Sequence, residues 1–329
     1  MVEEASVSEP IGVAAEHVRL LTKVARMYHE RGMRQPQIAA HLHISQPRVS
    51  RLLKQAVSVG IVRTVVISPR GVHAELEEAV EQKYGLREVV VADSDGQTDE
   101  IAVTKAIAAA AAVYLETTLA RDDRVGISSW SATLLATVDA MHPAPSLTAS
   151  RVVQILGGVG TSAAQSQATR LTGGMARHTR AEAVYLVAPG LVATASMRAA
   201  LLEEPSIAAV IAAWQDLTVA LVGVGSLEPS TLLRQSGNAI AAEEEQRLRE
   251  AGAIGDVCMR FFDEEGRHVA SALDDRVLGI GSDTLRQVPR RVGVAGGERK
   301  YRAIRAALRG GWLNVLITDQ ETATELLKN

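Results

Sequence analysis

Beyond about residue 84 the chain alternates short β-branched runs with longer amphipathic stretches, and this alternation restricts the fold more than any other feature. The runs lie at 89–92, 124–128, 152–156, 183–188, 218–224, 257–262, 292–295 and 315–318. Helical periodicity separates most of them, so crossovers join consecutive strands, and a mostly parallel sheet covered on both faces is expected. That is an α/β, Rossmann-like domain. The most apolar stretch, 101–115, is rich in alanine, contains Lys105 and is too short to span a bilayer, so it reads as a buried helix.

The N-terminal part follows a different pattern. Residues 1–16 have no period and read as a mobile tail. Three short helical patterns follow: Leu21, Val24, Ala25 and Tyr28; Ile38, Ala39 and Leu42; Val49, Leu52, Leu53, Ala56 and Val57. Gly60 closes the third, a β-branched run occupies 61–67, and Ser68-Pro69-Arg70-Gly71 terminates it. The expected divisions are a tail at 1–16, a small helical unit at 17–70 and an α/β unit at 71–329 that begins with a helix near 74–84.

Charge separates the two units further. From His17 to Arg63 there are nine Lys/Arg and one acid, Glu30, a balance of +8 that leaves −11 for the rest of a chain whose formal charge is −3. A basic module for a polyanion, nucleic acid first among them, is joined to an acidic module without that task. One cysteine, Cys258, excludes an internal disulfide framework, and the acidic start MVEEASVSEP is unlike a secretory signal, so a cytoplasmic protein with no membrane partner is expected.

Within the basic module, Ser45 stands where a helix N-cap belongs, and Gln46-Pro47 fill the first turn, where a missing amide hydrogen costs nothing. The apolar stripe at 49, 52, 53, 56 and 57 turns Gln46, Arg48, Ser50, Arg51 and Lys54 away from the core. Arginine pairs with guanine and glutamine with adenine in the major groove, while serine, lysine and the helix N-terminus hold phosphates. Two short helices with a tight turn at His43-Ile44 form a helix-turn-helix, and the run after Gly60 supplies a wing. Gln46, Arg48, Ser50 and Arg51 are the expected base readers, with Lys54 and Arg34 on phosphates, and the N-cap Ser45 is counted with them in the DNA-binding set. His43 stands where the turn needs a left-handed residue, a conformation histidine tolerates better than a β-branched side chain does.

In the acidic module, ligands collect beyond the carboxyl ends of parallel strands. Four such turns carry small or polar residues: 128–133, 157–161, 223–226 and 296–300. Their glycines admit close approach, their hydroxyls are donors, and Lys300 adds a cation, so together they can hold a phosphate or a polyol. Trp130 reads as a core residue or a pocket wall.

The segment QPQIAAHLHISQPRVSRLLKQAVSVGIV resembles the winged-helix head of the SorC family of bacterial sugar-responsive transcriptional regulators. The resemblance continues, in matching order, through VGISSWSATL, VQILGGVG, GAIGDVCMRFFDEEGR and VGVAGGERKYRAIRAALRGGWLNVLITDQETA, covering roughly residues 20–329. It implies an effector pocket lined by Ser129, Ser131 and Thr133, by Gly157 and Gly158, by Asp256, and by Lys300 of the Gly-Gly-x-x-Lys motif. Gly225, Gly296 and Gln167, with Arg170 beside it, complete the candidate set. Some relatives carry glycine and a second threonine where this chain has Ser131 and Ala132, which leaves a polyol, a free sugar and a sugar phosphate all open. Operator DNA and a small carbohydrate are the expected partners. Pairing of two heads on a palindrome requires at least a dimer, and the resemblance implies a tetramer.

Enzymatic readings are weaker. Gly158-x-Gly160-x-x-Ala163 matches a dinucleotide fingerprint, yet the acid that should end the next strand, Glu182, precedes it. A sugar-phosphate isomerase or deaminase on the same fold would need an acid and a base at the substrate. Asp256 is one candidate, but Asp274-Asp275 read as solvated, and His41, His43, His73, His142, His178 and His268 have neither catalytic nor metal spacing. No catalytic residue, metal or cofactor is expected.

Overall fold

The computed structural model describes residues 15–62, 71–97, 99–142, 147–228, 234 and 240–328. It divides into two units, Met1–Ile67 and Ser68–Asn329.

The first unit contains α1 (Ala15–His29), α2 (Gln35–Leu42) and α3 (Gln46–Ser58). Their apolar faces meet in one small core: Leu21, Val24, Ala25 and Met27 from α1, Ile38 and Ala39 from α2, and Val49, Leu52, Leu53 and Ala56 from α3. Met27 takes the inward place expected of Tyr28, which is 39% exposed, and Val57 lies outside the stripe at 51%. His43 adopts the left-handed conformation (φ 54°, ψ 41°), and the Ile44 amide returns to the Ala39 carbonyl at 3.0 Å, closing α2 and turning the chain into α3. Most of the tail and most of the expected wing, 63–67, lie outside the described residues.

The second unit opens with α4 (Ala74–Tyr84) and β1 (Glu88–Ala92), then α5 (Glu100–Thr118), β2 (Arg124–Ile127), α6 (Ala132–Ala140), β3 (Arg151–Gln154), α7 (Ser162–Thr179) and β4 (Glu182–Val184). It continues through α8 (Ala195–Glu203), α9 (Pro205–Ala213), β5 (Val219–Val222), β6 (Gly225–Ser226), α10 (Ala242–Glu250), β7 (Gly255–Val257) and β8 (Arg260–Phe262). The last elements are α11 (Ser282–Gln287), β9 (Arg290–Val294), α12 (Tyr301–Arg309), β10 (Val315–Asp319) and α13 (Gln320–Leu327). Seven strands form one sheet in the order β1-β10-β9-β5-β2-β3-β4, with every pairing parallel.

Side chains of successive strand residues point to opposite faces, and both faces are buried here, so the strands read as unbroken apolar runs. Val153, Ala220, Val222 and Leu316 enter the core that holds Trp214, Phe262 and Trp312. Their neighbours Val152, Val219, Leu221, Val315 and Ile317 enter the opposite core, beneath Val103, Ile107, Ala111 and Leu115 of α5. The alanine-rich helix thus buries one face only, leaving Ile101 and Val113 exposed at 82% and 59%.

Two expected strands differ. The run at 183–188 stays in the sheet only to Val184; beyond it the Leu186 amide donates to Gln154 Oε1 (2.9 Å), and Pro189 bridges to Gly158 and Val159. The run at 257–262 is no parallel strand but the turn and second arm of an antiparallel hairpin, β7–β8, which β6 extends to three strands. Its two-residue turn is Cys258-Met259, with φ of 54° and 60°. Both arms are buried, so their apolar residues run together, and the Asn-Gly or Asp-Gly pair that normally announces such a turn is absent.

Candidate functional site

From β2 the chain winds to one edge through β3 and β4, then crosses back to place β5 on the other flank of β2. A parallel sheet opens a crevice where its winding reverses, beyond the carboxyl ends of the strands. A cavity of about 310 Å³ occupies that place. Its wall draws on the turns after β2 (Ser128, Trp130, Ser131, Thr133), β5 (Gly223 to Ser226) and β9 (Gly296 to Lys300). The hairpin adds Asp256, Cys258 and Met259, and the start of α5 adds Glu100 and Thr104.

Asp256 sits opposite Gly225 across the β6–β7 pairing. A Cβ on Gly225 would stand 2.0 Å from Asp256 Oδ1, so only glycine leaves the carboxylate its place. The other oxygen accepts the Met259 amide at 2.9 Å and braces the left-handed hairpin turn. Burial pushes the Asp256 pKa up to about 6, against the Met259 hydrogen bond and the nearby Lys300, which lower it. Burial also depresses the pKa of Lys300, with Arg299 adding to the effect, while Glu100 and Asp256 pull the other way. The Cys258 thiol is pushed up to about 12, chiefly by burial, and stays protonated.

Other groups set the shape of the wall. Ser131 caps α6, its hydroxyl accepting the Leu134 amide at 3.2 Å. Trp130 is both wall and core: it is 6% exposed, and its Nε1 donates to the Gly157 carbonyl at 2.9 Å. The Gly297 amide, at φ 87°, donates to Asp319 Oδ2 (2.9 Å) and Thr322 Oγ1 (3.0 Å). Asp319 is 2% exposed and stands directly behind the glycine turn.

Of the ten candidate residues, Ser131, Thr133, Gly225, Asp256, Gly296 and Lys300 meet at the cavity. Ser129, Gly157, Gly158 and Gln167 do not line it. The Ser129 hydroxyl is buried and donates to the Leu156 carbonyl at 2.6 Å. Gly157 and Gly158 make room for chain packing: a Cβ would fall 2.3 Å from the Pro189 carbonyl at the first and 2.8 Å from Gln154 Nε2 at the second. The segment after Val184 therefore fills the space expected for a ligand. Gln167 is half-buried on α7, and its neighbour Arg170 pairs with Asp139 at the surface (2.8 Å).

Glu100, Thr104 and Asp319 were not among the candidates, although parallel topology brings the start of α5 and the end of β10 to this end of the sheet. The signals are Asp99, whose side chain accepts the Ala102 amide, and the Asp319-x-x-Thr322 cap. Asp274, expected to be solvated, binds the buried Arg260 at 2.9 Å and His268 at 3.1 Å. Arg260 also donates to the carbonyls of Gly279 and Ile280, so Asp274 is part of the scaffold.

In the first unit, Gln46, Arg48, Arg51 and Lys54 are exposed on α3 opposite its buried stripe, and Ser50 is half-buried. Ser45 occupies the N-cap position, but its hydroxyl makes no cap bond; the Arg48 and Val49 amides bond to its carbonyl instead, at 3.0 and 3.1 Å. Arg34 is exposed just before α2, where its amide donates to Gln37 Oε1 (2.9 Å). Among the described residues, Arg34, Arg48, Arg51 and Lys54 form no ion pair with a carboxylate, so this face keeps its positive charge.

Comparison with known proteins gives both units relatives. The Sugar-bind family, a sugar-binding domain, matches residues 70–328, and a helix-turn-helix domain family matches residues 14–64. The sorbitol operon regulator of Klebsiella pneumoniae is 33% identical over 321 residues, covering 95% of this chain and 99% of that protein. The deoxyribonucleoside regulator of Bacillus subtilis strain 168 is 33% identical over 314 residues, with 95% and 99% covered. The crystal structure of the full-length Klebsiella regulator, SorC, matches with a TM-score of 0.70 at 31% identity, over 95% of this chain and 100% of that one.

Proposed function

The chain belongs to the SorC family of sugar-responsive transcriptional regulators, and from that premise we propose how its residues divide the task. It is a DNA-binding regulator with a sugar effector, not an enzyme. The head, placed at 17–70, reads operator bases with Gln46, Arg48, Ser50 and Arg51. Arg34, Lys54 and the uncommitted Ser45 hydroxyl hold phosphates.

The unit at 71–329 takes a polyol, a free sugar or a sugar phosphate into the cavity at the carboxyl ends of β2, β5 and β9. Asp256 accepts hydrogen bonds from the ligand's hydroxyls there, and Ser131, Thr133 and Lys300 donate. The observation that carries this reading is Asp256 itself, a half-buried carboxylate in a space that only Gly225 leaves open, facing a cavity of about 310 Å³. Folded proteins keep such a group at a cost in stability, and ligand recognition is the compensating gain.

Two heads on a palindromic operator require at least a dimer, and the family resemblance supports a tetramer in the cytoplasm. Regulation requires that the effector prefer one arrangement of the heads over another. Thermal-shift screening of polyols, free sugars and sugar phosphates, followed by gel shift on the chain's own upstream DNA, tests the reading. A compound that raises Tm and changes operator retention supports it. Stabilisation that survives both Asp256→Asn and Gly225→Ala refutes the assignment of the pocket.

A further inference from the structure

We propose that α13 is the strut through which the pocket acts on the linker to the head, with Lys83 and Tyr84 as the positioning residues that fasten α4 to it; this builds on the pocket assignment above.

The start of α13 is tied to the pocket. The turn 296–300 lines the cavity, and its Gly297 amide donates to Asp319, the N-cap of α13 (2.9 Å), and to Thr322 in the first turn (3.0 Å). Thr322 locks that cap, its amide on Asp319 Oδ1 at 2.9 Å and its hydroxyl on Oδ2 at 2.6 Å, and both residues are buried. The helix then runs eight residues, about 12 Å along its axis.

The far end of α13 is tied to its neighbours. A helix leaves its last four carbonyls without partners of its own, and here two adjacent helices supply the donors. Tyr84 Oη donates to the Leu326 carbonyl at 2.8 Å, and Lys83 Nζ donates to those of Leu327 and Lys328 at 3.0 Å each. Arg305, on the α12 that leaves the same glycine turn, donates to the Glu325 carbonyl at 2.8 Å. A shift of the turn therefore moves the starts of α12 and α13 together, and their ends are bound to each other. Ala323 and Leu326 press α13 into the core that also receives Val80 of α4, so no slack is left between the two helices.

α4 has a second attachment, which turns that shift into a swing. β1 is an edge strand, and α4 occupies its outward amides: Glu81 accepts from Val89 at 2.7 Å and Glu77 from Val91 at 2.9 Å. The helix is thus held to β1 along its middle and to α13 at its last turn. A rigid body held at two such places pivots on the first when the second moves, so displacement of α13 redirects the other end of α4, at Ala74. That end follows the linker in sequence. Gly71, at φ 78°, lies against Asp93 just beyond β1, where a Cβ would come to 3.2 Å from Oδ2.

Anisotropy of the full-length chain on its own upstream DNA tests the strut as a mutant cycle. Thr322→Val keeps the side-chain shape and removes the hydroxyl that holds Gly297, while Lys83→Met with Tyr84→Phe releases the opposite end. Each should change the operator Kd about threefold, and all three substitutions together should do no more than either alone, because a strut cut at one end gains nothing from a second cut. Lys83→Arg, which keeps a donor for the same carbonyls, should bind as native. Effects that multiply overturn the proposal. So does a native operator Kd in the released variant, even with a lowered Tm, since the two side chains would then serve stability alone. If Thr322→Val does not fold, the release and its Lys83→Arg control decide. Sorbitol and 2-deoxyribose serve as ligand probes: one that shifts the native operator Kd should shift that of the released variant less than about twofold, at unchanged calorimetric affinity. A full shift overturns the proposal. Probe binding unchanged by both Asp256→Asn and Gly225→Ala would instead refute the pocket assignment, a result on which the ligand-free cycle does not depend.

Discussion

Asp256 lowers the stability of the fold it sits in, and Asp256→Asn should therefore raise it. Its pKa is raised from 3.8 to about 6, chiefly by burial. A carboxyl whose folded pKa lies above its unfolded value favours folding fully below the unfolded pKa, and loses that contribution as pH rises through the folded one. Ionised Asp256 then costs the native state about 3 kcal/mol at pH 7.5, falling to roughly half of that at pH 5. Asparagine removes the cost and, through its amide oxygen, can still accept the Met259 amide. Urea unfolding at the two pH values should find the variant more stable by about those amounts, less whatever Lys300 loses with its carboxylate neighbour. The same variant should lose most of its effector affinity, since the group that accepts the ligand's hydroxyl hydrogen bonds has lost its charge. A variant equal to or less stable than native at pH 7.5, or a gap that does not shrink toward pH 5, would refute the view that Asp256 is retained against its folding cost.

Three further perturbations probe the head, the pocket and the scaffold behind it. Arg48→Ala and Arg51→Ala should each cost about 1–3 kcal/mol on the operator if the residue holds a guanine, whereas equal weakening on random duplex, measured by anisotropy, would mark it as a phosphate anchor. Gly225→Ala drives a Cβ to within 2.0 Å of Asp256 Oδ1; calorimetry should show effector binding lost while operator affinity in gel shift stays native. Arg260→Ala takes one of three partners from Asp274, which keeps the Ser271 amide and His268, and removes the guanidinium donor to the Gly279 and Ile280 carbonyls. It should destabilise the second unit by about 3–5 kcal/mol in chemical unfolding, and a loss below about 1 kcal/mol would contradict the scaffold role.

The parallel sheet was legible because both faces are covered, and strands such as Val219–Val222 are apolar at every position. The head was legible for a different reason: cap position, helix spacing and the exposed basic face of α3 agree. The α2–α3 turn kept its left-handed residue although histidine stands there. The hairpin was hidden because Cys258 and Met259 hold φ values that neither residue advertises. The pocket was half legible. Glycine turns after strands mark where ligands collect, but Gly157 and Gly158 use their missing side chains to admit Pro189 and Gln154, a packing demand that no local pattern reveals. Glu100 and Arg299 are 199 residues apart, and only the β1-β10-β9 order brings their helices to one end of the sheet.

A hydroxylated ligand at Asp256 is expected to change how the head engages DNA. This coupling is tested most directly by fluorescence anisotropy of the chain's own upstream DNA, titrated with native, Asp256→Asn and Gly225→Ala protein, with and without a saturating amount of the tightest compound from the screen. The operator Kd should move about fivefold or more in the native chain and stay fixed in both variants, whose affinity without ligand equals the native value. An operator affinity indifferent to the bound compound, or a shift that persists in both variants, would contradict it.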